Sequence, residues 1–166
     1  MKNFARMAVL AAAATIAATP AAAQVAPSNG PAQARATIVK PLTLTRVAHL
    51  DFGSIVVWGD GTVSMTQAGA ISCTAATLVC AASGTPAEFT VTGTNNRVVQ
   101  INASNSTITN GTDTLNFTIN APATVTLPNA GVGNGVNFTV GGSIAVFEAT
   151  SPGLYSGNMN VTVQYQ

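Results

Sequence analysis

The sequence predicts an all-β protein, an antiparallel immunoglobulin-like or pilin-like β-sandwich. Past residue 34, apolar residues alternate with polar ones in short runs, which is the period of half-buried β-strands. Clusters of glycine, asparagine and proline separate these runs and supply the backbone angles that tight turns require. No apolar stripe at helical spacing is long enough to predict a helix here. Roughly nine short strands at regular spacing favour a sandwich.

Each predicted strand has apolar residues of one parity, which therefore share a face. In chain order these residues are Ile38, Leu42 and Leu44; Val63 and Met65; Phe89 and Val91; Val99 and Ile101; Leu115, Phe117 and Ile119; and Met159, Val161, Val163 and Tyr165. Turns are predicted at residues 58–61, 92–96, 110–111, 129–135, 141–142 and 151–153.

Residues 1–23 predict a cleaved secretory signal peptide. Two basic residues, Lys2 and Arg6, precede an uncharged apolar run that ends at Ala18. The run is shorter than the roughly 20 apolar residues that cross a bilayer, and small residues of the kind that signal peptidase accepts follow it. We therefore expect an exported protein in the periplasm, on the cell surface or outside the cell, with no integral membrane segment after cleavage.

The predicted mature chain consists of a short extension and one domain. Residues 24–33 are turn-prone and have no core of their own, which predicts a flexible N-terminal extension. Residues 34–166 are long enough for a single β-sandwich domain with a sizeable core, and no linker divides them.

The charge of the predicted mature chain excludes two classes of partner. Without Lys2 and Arg6, four basic residues remain against five acidic ones, a net charge of −1. Such a chain offers no basic stripe for the phosphates of a nucleic acid and no polybasic segment for anionic lipid.

Few side chains in the sequence suit catalysis, and we expect no enzyme and no cofactor. The single histidine, His49, stands two residues from Asp51, so the two would share a face on a strand. We interpret them as a surface or strand-edge pair. The glycine-rich run at 131–135 has no following helix that could present its N-terminus to a phosphate.

Cys73 and Cys80 lie in a loop-like stretch, and export would deliver them to an oxidising compartment. We interpret them as a disulfide, which would stabilise the fold by roughly 2.5 kcal/mol if the loss of chain entropy is the cause. A zinc site is the alternative, but zinc needs four ligands and His49 is distant in sequence, so no metal is expected.

Several segments suggest a family. They are residues 41–45 (PLTLT), 50–56 (LDFGSIV), 89–93 (FTVTG), 140–144 (VGGSI) and the ending at 153–165 (GLYSGNMNVTVQY). Together they resemble DUF4402, a family of secreted bacterial proteins defined as a domain of unknown function. The resemblance spans most of the predicted mature chain.

The ending at 153–165 also resembles the last strand of chaperone–usher pilins, including the spore-coat-U-like subunits of archaic pili. The sequence departs from the common pilin pattern at one point. In that pattern the disulfide joins early strands, whereas Cys73 and Cys80 enclose one short loop.

The pilin resemblance implies a sandwich that lacks one strand and receives it from a neighbour's N-terminal extension by β-strand addition. The implied function is an exported structural or adhesive subunit, with like subunits, a periplasmic chaperone and an usher as partners. The candidate donor strand presents Ala32, Ala34, Ala36 and Ile38 on one face. The candidate acceptor-groove strand presents Met159, Val161, Val163 and Tyr165, and we expect this strand in the middle of the core.

Two alternatives remain open at this point. In the first, the protein is a self-complete secreted or surface sandwich, and the chain from Ala32 onward is its first strand. In the second, it is an eight-stranded outer-membrane barrel, although the few aromatic residues of the chain are hard to arrange as the two girdles that such barrels wear.

Overall fold

The computed structural model describes residues 30–74, 76–80, 84–128 and 135–166. Within these ranges the protein is all-β, without a helix, and every pair of strands is antiparallel. Its strands are β1 (Thr43–Ala48), β2 (Ile55–Val57), β3 (Gly61–Met65), β4 (Ile71–Cys73), β5 (Leu78–Cys80), β6 (Ala87–Thr92), β7 (Val98–Ser104), β8 (Ser106–Thr109), β9 (Thr114–Asn120), β10 (Thr124–Thr126), β11 (Val136–Val146) and β12 (Asn160–Tyr165). The predicted fold class is therefore confirmed.

The strands form a large sheet and two small ones. The seven-stranded sheet has the order β1-β6-β11-β3-β4, with β9 also paired to β11 and β8 paired to β9. A three-stranded sheet has the order β10-β7-β12, and β2 pairs with β5 and with no other described strand. No described residue belongs to a helix long and apolar enough to cross a membrane.

One core lies between the β1-β6-β11 part of the large sheet and the sheet β10-β7-β12. All of its buried side chains except Leu127 come from alternate positions of β6, β7 and β11, as the period-two pattern predicts. The rings of Phe89 and Phe138 stack within it, with their centroids 5.6 Å apart. We call this cluster the upper core; its buried members are Ala87, Phe89, Val91, Val99, Ile101, Leu127, Phe138 and Val140.

A second core lies on the other half of the large sheet, where β3, β9 and the end of β11 meet the small sheet β2-β5. The rings of Phe52 and Phe117 meet edge to face there, 6.2 Å apart. We call this cluster the lower core; its buried members are Phe52, Val63, Met65, Leu78, Leu115, Phe117, Ile144 and Val146. Leu50, Ile119 and Met159 pack against both cores.

The predicted turn at 141–142 is wrong, because β11 runs straight through Gly141 and Gly142. A Cβ at Gly141 would meet the carbonyl oxygen of Met65, and one at Gly142 would meet the ring of Phe117. These glycines therefore permit a close approach of neighbouring backbone and side chains, which is the other common use of glycine in a strand.

A disulfide joins Cys73 at the end of β4 to Cys80 at the end of β5, with 6.2 Å between the two Cα atoms. The predicted pairing is therefore present in the structure. The bond links the edge of the large sheet to the small sheet β2-β5, and both cysteines pack against the lower core.

Candidate strand-acceptor site

The candidate donor residues lie before the first strand. Ala32, Ala34, Ala36 and Ile38 are exposed and belong to no strand, and Ile38 is 92% exposed. The first strand begins at Thr43 instead of at the alanines. The self-complete alternative expected the chain from Ala32 to form the first strand of the fold. The structure does not place a strand there.

The chain is fixed to the domain just after these residues, at Lys40. The Lys40 amide donates to Thr94 Oγ1 (2.7 Å), and the Tyr165 hydroxyl donates to the Lys40 carbonyl (2.6 Å). The same hydroxyl accepts the amide hydrogen of Thr94 (2.8 Å). The segment before Lys40 therefore starts from the end of the upper core where β6 and β12 end.

The candidate acceptor strand is an edge strand. We expected it in the middle of the core, but β12 pairs only with β7 among the described residues, and Met159, Val161, Val163 and Tyr165 are half-buried. The central strand of this sheet is β7, whose Val99 and Ile101 are buried. The expectation of a central position is therefore wrong.

The outer edge of β12 has free backbone groups at alternate residues. The Gln166 amide donates to the Val98 carbonyl (3.1 Å). By the register of β12 on β7, the backbone N–H and C=O groups of residues 160, 162 and 164 also point toward β7. Since backbone groups alternate in an antiparallel pair, those of Val161 and Val163 point away from β7.

An opening lies over the lower core. It is a cleft of about 1060 Å³ between two walls, residues 48–57 and residues 150–159. We call it the lower cleft. Leu115, Phe117, Ile144 and Val146 lie at its floor. Of the four candidate acceptor residues, only Met159 lines it.

The edge of β2 that faces away from β5, which pairs with no described strand, borders the lower cleft. All three residues of β2 line the cleft and none of β5 does. The Trp58 amide donates to the Thr77 carbonyl (2.8 Å). By the β2-β5 register, the backbone N–H and C=O groups of Val56 also point toward β5. The N–H and C=O groups of Ile55 and Val57 therefore point away from β5, toward the cleft.

The second wall of the cleft is held to the β8-β9 hairpin by Asp113. The Ser151 amide donates to Asp113 Oδ2 (2.6 Å), and the Tyr155 hydroxyl lies 3.4 Å from that oxygen while it donates to the Ser151 carbonyl (2.8 Å). Two backbone hydrogen bonds between Thr109 and Ser156 add to this attachment.

The hydrogen bonds to Asp113 shift two pKa values. Bonds from the Ser151 backbone, then from its side chain and from Tyr155, lower the pKa of Asp113, although partial burial opposes them. Burial and the negative charge of Asp113 raise the pKa of Tyr155. The network therefore favours a charged Asp113 beside a neutral Tyr155.

We expect Asp113→Asn to lower the melting temperature at neutral pH and to flatten its acid dependence. Because folding lowers the pKa of Asp113, its stabilising effect is complete above the ordinary value of 3.8 and is lost as the pH falls through the folded value. Thermal melts from pH 7 to pH 2.5 measure this. Asp60→Asn, which also removes one carboxylate charge, is the control. Equal acid slopes for wild type and Asp113→Asn would contradict the prediction.

His49 and Asp51 both line the lower cleft. Asp51 Oδ1 accepts the Gly53 amide (2.8 Å), and the Asp51 backbone pairs with Thr85. The carboxylate thus stabilises a turn. Within the described ranges, no three His, Cys, Asp or Glu side chains are grouped so that they could hold a metal ion.

The cleft was not predicted from the sequence, although segments of both its walls contribute to the family resemblance. Residues 50–56 and 153–165 are two of the segments on which the family resemblance rests, and they contribute to opposite walls. They lie about one hundred residues apart in the chain. The second wall is held to the β8-β9 hairpin, and β9 pairs with β11 of the large sheet, so long-range pairing brings the two walls to one cleft.

The chain was compared with protein-family models, curated proteins and solved structures. No curated protein and no solved structure matches it at a significant level. One family model, described as a domain of unknown function (DUF4402), matches residues 42–165. The matched range begins next to β1 and ends at the last residue of β12, so it contains every strand of the structure. The chain therefore belongs to the DUF4402 family.

Proposed function

We propose that this protein is an exported structural subunit that assembles with its own kind by β-strand addition, as pilins do. One observation carries the proposal: among the described residues, the segment with the alternating pattern pairs with no strand, and the outer edges of β2 and β12 have free backbone groups. An extended segment can add to such an edge through main-chain hydrogen bonds, while its alternate side chains enter the core.

The donor segment has a suitable pattern for this exchange. Ala32, Ala34, Ala36 and Ile38 would share the inner face, and Gln33 and Arg35 would share the outer face. Open strand edges are a liability that proteins usually cover, so free edges in a chain that also carries such a segment favour pairing between chains.

Export is part of the same proposal. The predicted signal peptide at residues 1–23 lies outside the described residues, and the disulfide is of the kind that persists in an oxidising compartment. In this proposal a periplasmic chaperone and an usher assist assembly, and the protein has no catalytic role.

The test compares two variants of the chain 24–166. Ala34→Asp with Ala36→Asp places charges on the inner face of the donor, and Gln33→Asp with Thr37→Asp places them on the outer face. We expect self-association, measured by sedimentation velocity, to weaken at least about ten-fold for the inner-face variant, because burying an unpaired charge costs more than 1.4 kcal/mol. The outer-face variant should stay close to wild type.

Two results would contradict the proposal. A wild-type chain that stays monomeric at all concentrations tested would leave no assembly to explain. Self-association that both variants weaken equally would show that the segment does not insert one face into a neighbour.

A further inference from the structure

We infer that the acceptor is the lower cleft beside β2, not the edge of β12, and that residues 32–38 of a second copy occupy it. This inference rests on the proposed function and names the site of strand addition. In this arrangement the backbone of Ile55 and Val57 pairs with the donated strand. The side chains of the donated strand contact the floor of the cleft.

The edge of β2 offers both kinds of contact that an added strand needs. The free N–H and C=O groups of Ile55 and Val57 point into the cleft, and the side chains of Leu115, Phe117 and Ile144 lie below them. A strand that pairs with β2 would therefore extend the small sheet β2-β5 across the lower core. The edge of β12 has free backbone groups, but no residue of β12 lines this cleft.

The floor of the cleft suits small side chains. Leu115, Phe117, Ile144 and Val146 are only 3–5% exposed, so they already pack closely against one another. An added strand with small side chains can place their methyl groups on this surface without displacing it. Ala32, Ala34 and Ala36 are such side chains.

The position of the cleft favours a second copy as the source of the strand. The donor segment leaves the domain next to Lys40, before the first residue of β1, and Ala48 at the other end of β1 lines the cleft. The six residues of β1 span about 20 Å. A donor at one end and an acceptor at the other make head-to-tail contacts, which build open filaments when the rotation does not close.

A pair of proline variants separates the two edges. Val57→Pro removes an N–H that points away from β5, and Val163→Pro removes one that points away from β7. Both positions are half-buried valines on edge strands, and neither change breaks an existing strand pairing. We expect Val57→Pro to weaken self-association of the chain 24–166 at least about ten-fold and Val163→Pro to change it less than about two-fold.

The possible results are distinct. If Val163→Pro weakens association and Val57→Pro does not, strand addition occurs at β12, so the inference is wrong and the proposed function stands. If neither weakens the association of a self-associating wild type, the cleft is not the acceptor. A monomeric wild type contradicts the proposed function itself.

A cross-linking experiment keeps the test valid if Val57→Pro does not fold. The otherwise wild-type chain carries a photoreactive benzoylphenylalanine at position 38, and mass spectrometry locates the adducts. We expect links to residues 52–57 or 150–159 between chains, which mixed isotope labelling distinguishes from links within one chain. Links confined to 161–165, or links only within one chain, would overturn the inference.

Discussion

Phe117→Ala is expected to destabilise the protein by about 3–5 kcal/mol, the range for removing a large aromatic ring from a core. Phe117 is only 4% exposed, packs edge to face on Phe52 and lies against Gly142 of β11. The change leaves a hole in the lower core directly beneath the cleft. Because a whole domain is stable by about 5–15 kcal/mol, the variant should lose a large share of its stability.

Urea unfolding followed by circular dichroism measures this effect. Phe147→Ala is the matched control, since Phe147 is also a phenylalanine but is 54% exposed, and it should change the free energy of unfolding by less than about 1 kcal/mol. Similar losses for the two variants would mean that the lower core is not packed as the structure has it.

Gly141→Ala is expected to cost up to about 3 kcal/mol, although it adds only one methyl group. The new Cβ would meet the carbonyl oxygen of Met65 and the backbone of Thr66, and backbone atoms cannot rotate away as the end of a side chain can. Relief therefore requires β11 and β3 to separate, which strains the pairing between Gly142 and Met65.

Gly59→Ala is the control for the glycine prediction. Its Cβ would meet a methyl group of Thr77 at 3.2 Å, so that side chain must give by only a few tenths of an ångström. We expect a change of less than about 1 kcal/mol, because alanine also reduces the entropy of the unfolded chain. Thermal unfolding of the two variants and the wild type measures both effects. A Gly141→Ala protein as stable as the wild type would contradict the close approach of β11 to β3.

Most of the strand pattern was predictable from the sequence because it depends on local alternation. The parity of Val63 and Met65, and that of Val99 and Ile101, correctly gives the faces that are buried in β3 and β7. The disulfide could be predicted because only two cysteines exist and they stand seven positions apart. Local spacing led to a wrong prediction of a turn at Gly141 and Gly142, because glycine is used both in turns and where neighbouring chains approach closely.

The all-β class, the inward faces of the strands and the pairing of Cys73 with Cys80 could be inferred without coordinates, because each follows from period-two alternation or from a short separation. Which strand edges stay free depends instead on how distant strands pair. The position of β12 at an edge depends on β7 taking the centre of its sheet. The lower cleft depends on walls that are distant in sequence, and such non-local pairing leaves no mark in the pattern of any single segment.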